Sequence, residues 1–336
     1  MKHFAENGFA HDFSYLIDAA DDKVLYSKGS LDRKARIMAK SFKRRQADVK
    51  RLGEYDIVFV QREAFMTGTT LFERKFAKAS SKLIFDFDDS IWLSNVSEAN
   101  RYLNFLKKPE KTSRIIAMSD HVIAGNQYLA DYALRFNPVV SIIPTTIDTE
   151  SYKPVERREE RPYVTIGWSG SITTIQHFNH AEAVLIRVRE KYGDHVRFKV
   201  IGDAQYANDA LGIQGQAWNG EREISDLCEM DIGIMPLPDD EWAKGKCGLK
   251  GLQYMALEIA TVMSPVGVNT DIIEEGVNGF LAADEDEWFA KLCALIDDAA
   301  LRQTIGKAGR RTVEEKYSVI ANAESYLRVF RAVLGE

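Results

Sequence analysis

The sequence predicts an α/β protein built as two doubly wound, parallel-sheet domains facing each other across a cleft. Three observations carry that expectation. Short apolar runs alternate with helix-period segments along most of the chain, the pattern of parallel α/β architecture. The 336 residues exceed one ordinary domain, at roughly 100–200 residues each. A polar, proline-flanked stretch between Ile147 and Pro162 breaks the rhythm near the middle and reads as a linker.

In the first half the expected strands are Phe13–Ile17, Tyr55–Val60, Lys82–Phe87, His121–Ala124 and Val140–Pro144, with helices near 32–52, 70–79, 98–118 and 127–135. The second half repeats this with strands at Val164–Trp168, Val196–Ile201, Asp231–Leu237, Thr261–Ser264 and Phe280–Ala282, and helices near 178–192, 222–228, 248–258 and 285–297. Runs such as Val164-Thr165-Ile166-Gly167, ending in turn residues, suit strands covered on both faces. After residue 299 the pattern is wholly helical. The expected domains are therefore 1–147 and 148–315, with a helical tail at 316–336. Doubly wound sheets bind ligands at the carboxyl ends of their strands, which places the expected site in the cleft.

Composition narrows the classes. With 45% apolar and 28% charged residues the chain is neither disordered, collagenous nor a disulfide scaffold. No apolar run approaches the roughly 18 residues of a membrane span, and Met1–Glu6 has no apolar core of a secretory leader. Cys228, Cys247 and Cys293 are far apart and form no C-x-x-C pair, which points to reduced thiols in a cytoplasmic protein. His177 and His180 lie three apart without a third ligand, so no metal site is expected. The net charge of −6 divides into +5 over residues 1–145 and −11 over 146–336, as suits two lobes with different partners. An acidic chain without a recognition motif excludes nucleic acid as a partner.

Two glycine-containing turns could carry phosphate chemistry. Gly245-Lys246-Cys247-Gly248 leads into a helix, where free backbone N–H groups and the helix dipole favour an anion and Lys246 and Lys250 add charge. The same residues equally suit a plain amphipathic helix, with Leu249, Leu252, Met255 and Ala256 packing a core. Gly167-Trp168-Ser169-Gly170-Ser171 follows a strand and precedes a helix, so its amides and hydroxyls could also cradle phosphate. The two turns in one lobe make a stronger case than either alone.

From these turns onward the chain resembles the retaining glycosyltransferases of family 4, which have the GT-B fold of two Rossmann-like domains. The resemblance lies in the strand ending in proline, the Gly-rich turn, and the helix with Tyr254-Met255-Ala256. It continues through Thr261-Val262-Met263-Ser264-Pro265-Val266-Gly267 and Ile272-Ile273-Glu274-Glu275-Gly276-Val277-Asn278-Gly279-Phe280-Leu281. Ile142-Ile143-Pro144-Thr145-Thr146-Ile147-Asp148 resembles the family's interdomain crossing, and Tyr317-Ser318 with the last helix resembles its tail. The resemblance implies transfer of a sugar from a UDP-, GDP- or dTDP-sugar to a glycan or lipid-linked glycan hydroxyl, in bacterial surface polysaccharide or lipopolysaccharide synthesis. It implies donor binding by Gly170, Ser171, Gly248, Leu249, Lys250 and Gln253, with Lys246 catalytic and no cofactor required. It also implies that the opening strand and Gly-rich turn of the first lobe are missing, with Lys2–Asn7 the tail of the first helix.

The chain departs from the family at its E-x7-E pair, where Gly245 and Gln253 stand. Gln253 retains the ability to bond a ribose hydroxyl. Asp239, Asp240 or Glu241 could replace the other carboxylate, with Asp240 the candidate catalytic group. Trp168 and Thr173 replace a family arginine and lysine, while Glu258 and Ala260 stand where glycine and proline are usual. These departures keep two alternatives open: a nucleotide-sugar 2-epimerase, which shares the fold, and a non-catalytic glycan-binding protein.

In the first lobe Asp86, Asp88 and Asp89 close a strand, with Asp86 and Asp88 on one face by alternation. Asp88 or Asp89 could orient or deprotonate an acceptor hydroxyl; equally, they could cap the next segment. Arg62 and Glu63, closing the preceding strand, are acceptor-side candidates, and an Arg62 pair with Asp88 or Asp89 would be the structural alternative. Nine basic residues between 33 and 51 lie on a helical pattern whose apolar stripe is Leu31, Ala35, Met38, Phe42, Val49 and Leu52. They are expected to face solvent. A sharper expectation is attraction to an anionic leaflet, at about 1 kcal/mol per basic residue near the surface, making the protein peripheral on the inner face of the membrane.

Overall fold

The structure, a computed structural model, describes residues 2–25, 29–93, 108, 110–155 and 161–336. The early part of the expected helix at 98–118 and the linker residues Glu156–Glu160 lie outside the described residues. The chain divides into two compact units, residues 1–144 with 323–336, and residues 145–322.

The first unit holds a four-stranded parallel sheet in the order β1 (Ile57–Gln61), β2 (Lys82–Phe87), β3 (His121–Ala124), β4 (Val140–Ile142). Helices Leu71–Ala77, Glu110–Met118 and Gln127–Leu134 connect the strands. Leu83, Ile84, Phe85 and Phe87 of β2 are all fully buried, as a central parallel strand requires. Ile84 and Ile123 pack with Val329 and Phe330 of the last helix, Val319–Leu334. Asn126 caps Gln127–Leu134 by accepting the Leu129 N–H at 2.9 Å.

The expected strand at Phe13–Ile17 does not form. Its aromatics are exposed, Phe13 at 55% and Tyr15 at 68%, and side chains rather than a ladder hold its backbone. Arg45 donates to the Ser14 carbonyl, and the Ser41 hydroxyl donates to that of Leu16. The basic helix, Leu31–Lys50, also differs from expectation. Its buried positions are Lys34, Ile37, Ser41 and Arg45, whereas Leu31 is exposed. Two of the nine basic residues thus face inward. Arg45 is satisfied there by the Ala64 carbonyl at 2.6 Å and Asp48 at 2.7 Å.

The second unit holds a five-stranded parallel sheet in the order β11-β10-β9-β5-β6: β5 is Val164–Ser169, β6 Val196–Ile201, β9 Ile232–Met235, β10 Ala260–Met263 and β11 Phe280–Leu281. A short ribbon, β7 (Ala207–Asn208) with β8 (Ile213–Gln214), leaves the end of β6. Helix Glu182–Tyr192 covers one part of the sheet through Val184, Leu185 and Val188, and Glu285–Asp297 another through Leu292 and Leu295. Each such side chain contributes about 1.5–3 kcal/mol by leaving water. The helix expected at 178–192 is two, Ile175–Asn179 and Glu182–Tyr192, broken at His180 and Ala181. Ile147, from the crossing segment, bridges Ser318 and donates its N–H to the Tyr317 carbonyl at 2.8 Å.

Candidate active site

The second unit gathers its candidate residues at the carboxyl ends of β5 and β6 and at the start of helix Leu249–Ala256. Tyr254, fully buried, links these places by accepting the Ser169 N–H at 2.7 Å. Gly248 precedes the helix with φ +70°, and a Cβ there would lie 2.3 Å from Ile272 Cδ1. Only glycine meets both demands. Among the described residues no side chain caps this terminus, which leaves the amides of Leu249, Lys250 and Gly251 to an anion.

On the opposite side, Gly170 donates its N–H to the Ile201 carbonyl at 2.9 Å, and Gly202 (φ +138°) has no room for a Cβ, which would meet the Gly170 carbonyl at 2.4 Å. The Ser171 amide bonds Thr174 Oγ1, and its hydroxyl lies 2.9 Å from Thr173 Oγ1. Trp168, where the family resemblance places an arginine, is a core residue stacked beneath the loop at 4% exposure.

Behind the helix start lies a polar network that the sequence did not announce. Gln253 donates to the Tyr152 hydroxyl at 2.6 Å and accepts from Lys250 at 2.9 Å. The Tyr152 hydroxyl donates to Glu223 at 2.5 Å, and Trp218 Nε1 donates to the other Glu223 oxygen at 2.8 Å. Burial raises the Glu223 pKa, yet the hydrogen bonds from Tyr152 and Trp218, with Lys250 nearby, outweigh it and leave the carboxyl below its ordinary value. Burial lowers the Lys250 pKa against the opposing pull of Glu223. Both polar groups of Gln253 are thereby engaged. Lys246 lies 4.9 Å over the Trp242 ring.

The acidic loop has a structural job. Asp240 caps the one-turn helix Glu241–Lys244 by accepting the Ala243 N–H at 2.7 Å. Glu241 and Asp239 pair with Lys244 at 2.9 and 3.7 Å. Glu258 takes the left-handed turn usual for glycine, φ +58°, and completes the double hydrogen bond that ends helix Leu249–Ala256: Glu258 N–H to Met255 and Ile259 N–H to Tyr254.

In the first unit Arg62 pairs with Asp88 at 2.7 Å, from a strained backbone of φ +62°. Asp89 is buried and accepts the Ser90 N–H at 3.0 Å, a local turn bond. Glu63 pairs with the buried Lys111 at 2.9 Å. Asp86 shares the face of Asp88; burial, with Asp88 adding and Arg62 opposing, pushes its pKa up to about 7. Among the described residues no group of three or more His, Cys, Asp or Glu side chains is placed to hold a metal ion. Nor is any described helix long and apolar enough to cross a membrane.

This arrangement coincides with a known domain. Residues 164–298 match the model of the glycosyl transferases group 1. That group 1 segment contains both glycine turns, the acidic loop and most of the polar network. No curated protein matches the chain by sequence. Solved structures do. A glycosyltransferase from Rickettsia africae ESF-5 superposes with a TM-score of 0.64 at 13% identity, over 99% of this chain and 87% of that one. HepE from Anabaena, in complex with UDP and glucose, gives 0.61 at 16% over 90% and 83%. Sucrose-phosphate synthase from Thermosynechococcus elongatus gives 0.60 at 13% over 89% and 79%. The fold is GT-B.

Proposed function

We propose that the chain is a glycosyltransferase that moves a sugar from a nucleotide diphosphate sugar to a hydroxyl of a glycan or lipid-linked glycan, with retention at the sugar carbon. One observation carries the reading: the uncapped helix start at Gly248, shaped so that only glycine fits, lies within the group 1 segment and is linked through Tyr254 to the end of β5. The bond from the sugar carbon to the diphosphate breaks and a bond to the acceptor oxygen forms. The acceptor proton passes to the Asp88 carboxylate, and the nucleoside diphosphate departs with the electron pair. The amides after Gly248, with Lys246, stabilise the charge that develops on the leaving diphosphate. Ser171 and Gly170 bound it from the β5 side. Asp88, oriented by Arg62, serves the acceptor hydroxyl in the first unit, while Asp89 and Asp240 are structural. HepE, crystallised with UDP and glucose, supports the choice of donor class. Bacterial surface polysaccharide or lipopolysaccharide is the proposed product.

Incubation with UDP-, GDP- and dTDP-sugars tests the reading. Release of nucleotide stimulated by an acceptor supports transfer. Isomerisation without release supports the 2-epimerase, and nucleotide binding without turnover the glycan-binding protein that Gly245 and Gln253 leave open. Absence of any nucleotide effect on melting temperature overturns the donor site.

A lipid-linked acceptor would bring the protein to a membrane, and one observation favours this. Phe13 and Tyr15 stack at 5.7 Å, exposed, beside a cavity of about 600 Å³ lined also by Arg44 and Arg51 of the basic segment. Ion pairs reduce the free charge there: Arg36 with Asp32, Lys40 with Asp18 and Asp21, Arg51 with Asp12 and Glu54. Co-sedimentation with phosphatidylglycerol vesicles, lost on Phe13→Ser/Tyr15→Ser, is the expected result; no salt-sensitive binding would refute it.

A further inference from the structure

Trp218 is the exposed aromatic member of the second unit's polar network, and the proposed reaction gives it no role. The chain leaves β8, registers beside the end of β6, where Gly202 donates to Gln216 and Gln216 to Val200, and then runs on to Trp218. Trp218 thus follows closely on the carboxyl end of the sheet, where ligands of parallel sheets bind. The residue is 52% exposed, yet its indole is fixed. Glu223 accepts its Nε1–H, and a Cβ on Gly220 would lie 3.2 Å from the ring edge, so the missing side chain leaves the ring its place.

The cost of that arrangement is informative. Glu223 keeps only 14% of its side-chain surface exposed and uses both oxygens, one for Tyr152 and one for Trp218. A half-buried carboxylate, a tyrosine, a glutamine and Lys250 together hold one aromatic plane partly open to water. A folded chain gains nothing from an ordered, exposed indole; a flat ligand does. Lys250 and Gln253, the other members of the network, stand on the first turn and a half of the helix whose free amides suit an anion. The chemistry that fits both ends is an aromatic ring joined to a diphosphate.

We propose that Trp218 is the stacking platform for the nucleobase of the donor, positioned by Glu223. The proposal rests on the nucleotide-sugar reading above and extends it to a residue and a contact. Because every base has a π face, stacking adds affinity without choosing among bases. Trp218 therefore strengthens UDP and GDP binding by the same factor.

The test compares wild type, Trp218→Ala and Trp218→Phe by calorimetric titration with UDP, GDP, dTDP and inorganic pyrophosphate. Trp218→Ala is expected to weaken UDP and GDP alike by about tenfold or more and to leave pyrophosphate unchanged, with Trp218→Phe restoring most of the loss. If Trp218→Ala is poorly folded, fluorescence decides: UDP should quench tryptophan emission in wild type and far less in Trp218→Phe. Equal UDP affinity in wild type and Trp218→Ala, or equal quenching in wild type and Trp218→Phe, overturns the platform while leaving the nucleotide reading intact. Equal loss for pyrophosphate overturns it too, since the defect would then be general. Failure of UDP, GDP and dTDP alike to bind wild type overturns the nucleotide reading itself, and the platform with it.

Discussion

The two strand ends that carry the candidate residues are built differently. In the second unit glycines at 170, 202 and 248 remove side chains so that backbone segments approach closely, and the amides that start helix Leu249–Ala256 face outward, while Glu223, Gln253 and Lys250 satisfy one another behind them. In the first unit the charged groups face one another directly: Arg62 holds Asp88, Lys111 holds Glu63 and Glu73, and the part-buried Asp86 makes no ion pair among the described residues. The first design presents donors to an anionic ligand. The second stores charge and strain, at the left-handed Arg62 above all. A site that binds by backbone tolerates side-chain change poorly only at its glycines, whereas a site of paired charges depends on each partner.

Gly248→Ala should break the donor side most severely. The left-handed backbone costs roughly 1–2 kcal/mol and the clash with Ile272 another 1–3, so unfolding stability should fall by about 2–5 kcal/mol, with nucleotide binding lost. Urea unfolding measures it, and a change under about 0.5 kcal/mol would show that the turn is not left-handed.

Asp86 sharpens the contrast through pH. Its unfolded carboxyl ionises near 3.8, while the folded one holds its proton to about 7. Between those values the folded state binds more protons, so this group's contribution falls as pH rises and levels off above about 7. Some three pH units correspond to at most about 4 kcal/mol. Asp86→Asn should therefore flatten stability between pH 4 and 7 and exceed wild type at pH 8. An unchanged slope would place Asp86 in solvent.

Asp88→Asn removes a pair that is half exposed, worth about 0–1 kcal/mol to folding. Acceptor-dependent turnover should nonetheless fall about tenfold or more, at unchanged nucleotide affinity. Equal turnover would reduce the pair to a structural contact. The smallest effect belongs to Glu258→Gly. Relief of the left-handed strain, less the entropy of glycine, should add about 0.5–1 kcal/mol, readable as a higher melting temperature.

Most strands were legible because a parallel strand covered on both faces is written as an uninterrupted apolar run; β2, β3 and β6 match their expected bounds. Phe13–Ile17 has the same apolar character but lacks a ladder, and nothing in its residues reveals that Arg45 and Ser41 hold its carbonyls instead. A basic residue on a helix surface ordinarily faces water, yet Arg45 is buried because its Nε and Nη1 donors find the oxygens of Ala64, Ser14 and Asp48. The glycine turns were legible, since local backbone demands leave local marks. The network of Tyr152, Trp218, Glu223 and Gln253 was not, as it joins residues up to 101 positions apart. A tryptophan two residues before a glycine, in a polar loop after a strand, was the one signal available for Trp218.

The central claim is that the second unit binds a nucleoside diphosphate at the Gly248 helix start. Titration of wild type and Lys246→Ala with UDP, GDP and dTDP tests it most directly. At least one nucleotide should bind wild type and bind Lys246→Ala about tenfold more weakly, the loss expected for one charge-assisted contact. Binding of none of the three to wild type, or identical affinity in both proteins, would contradict it.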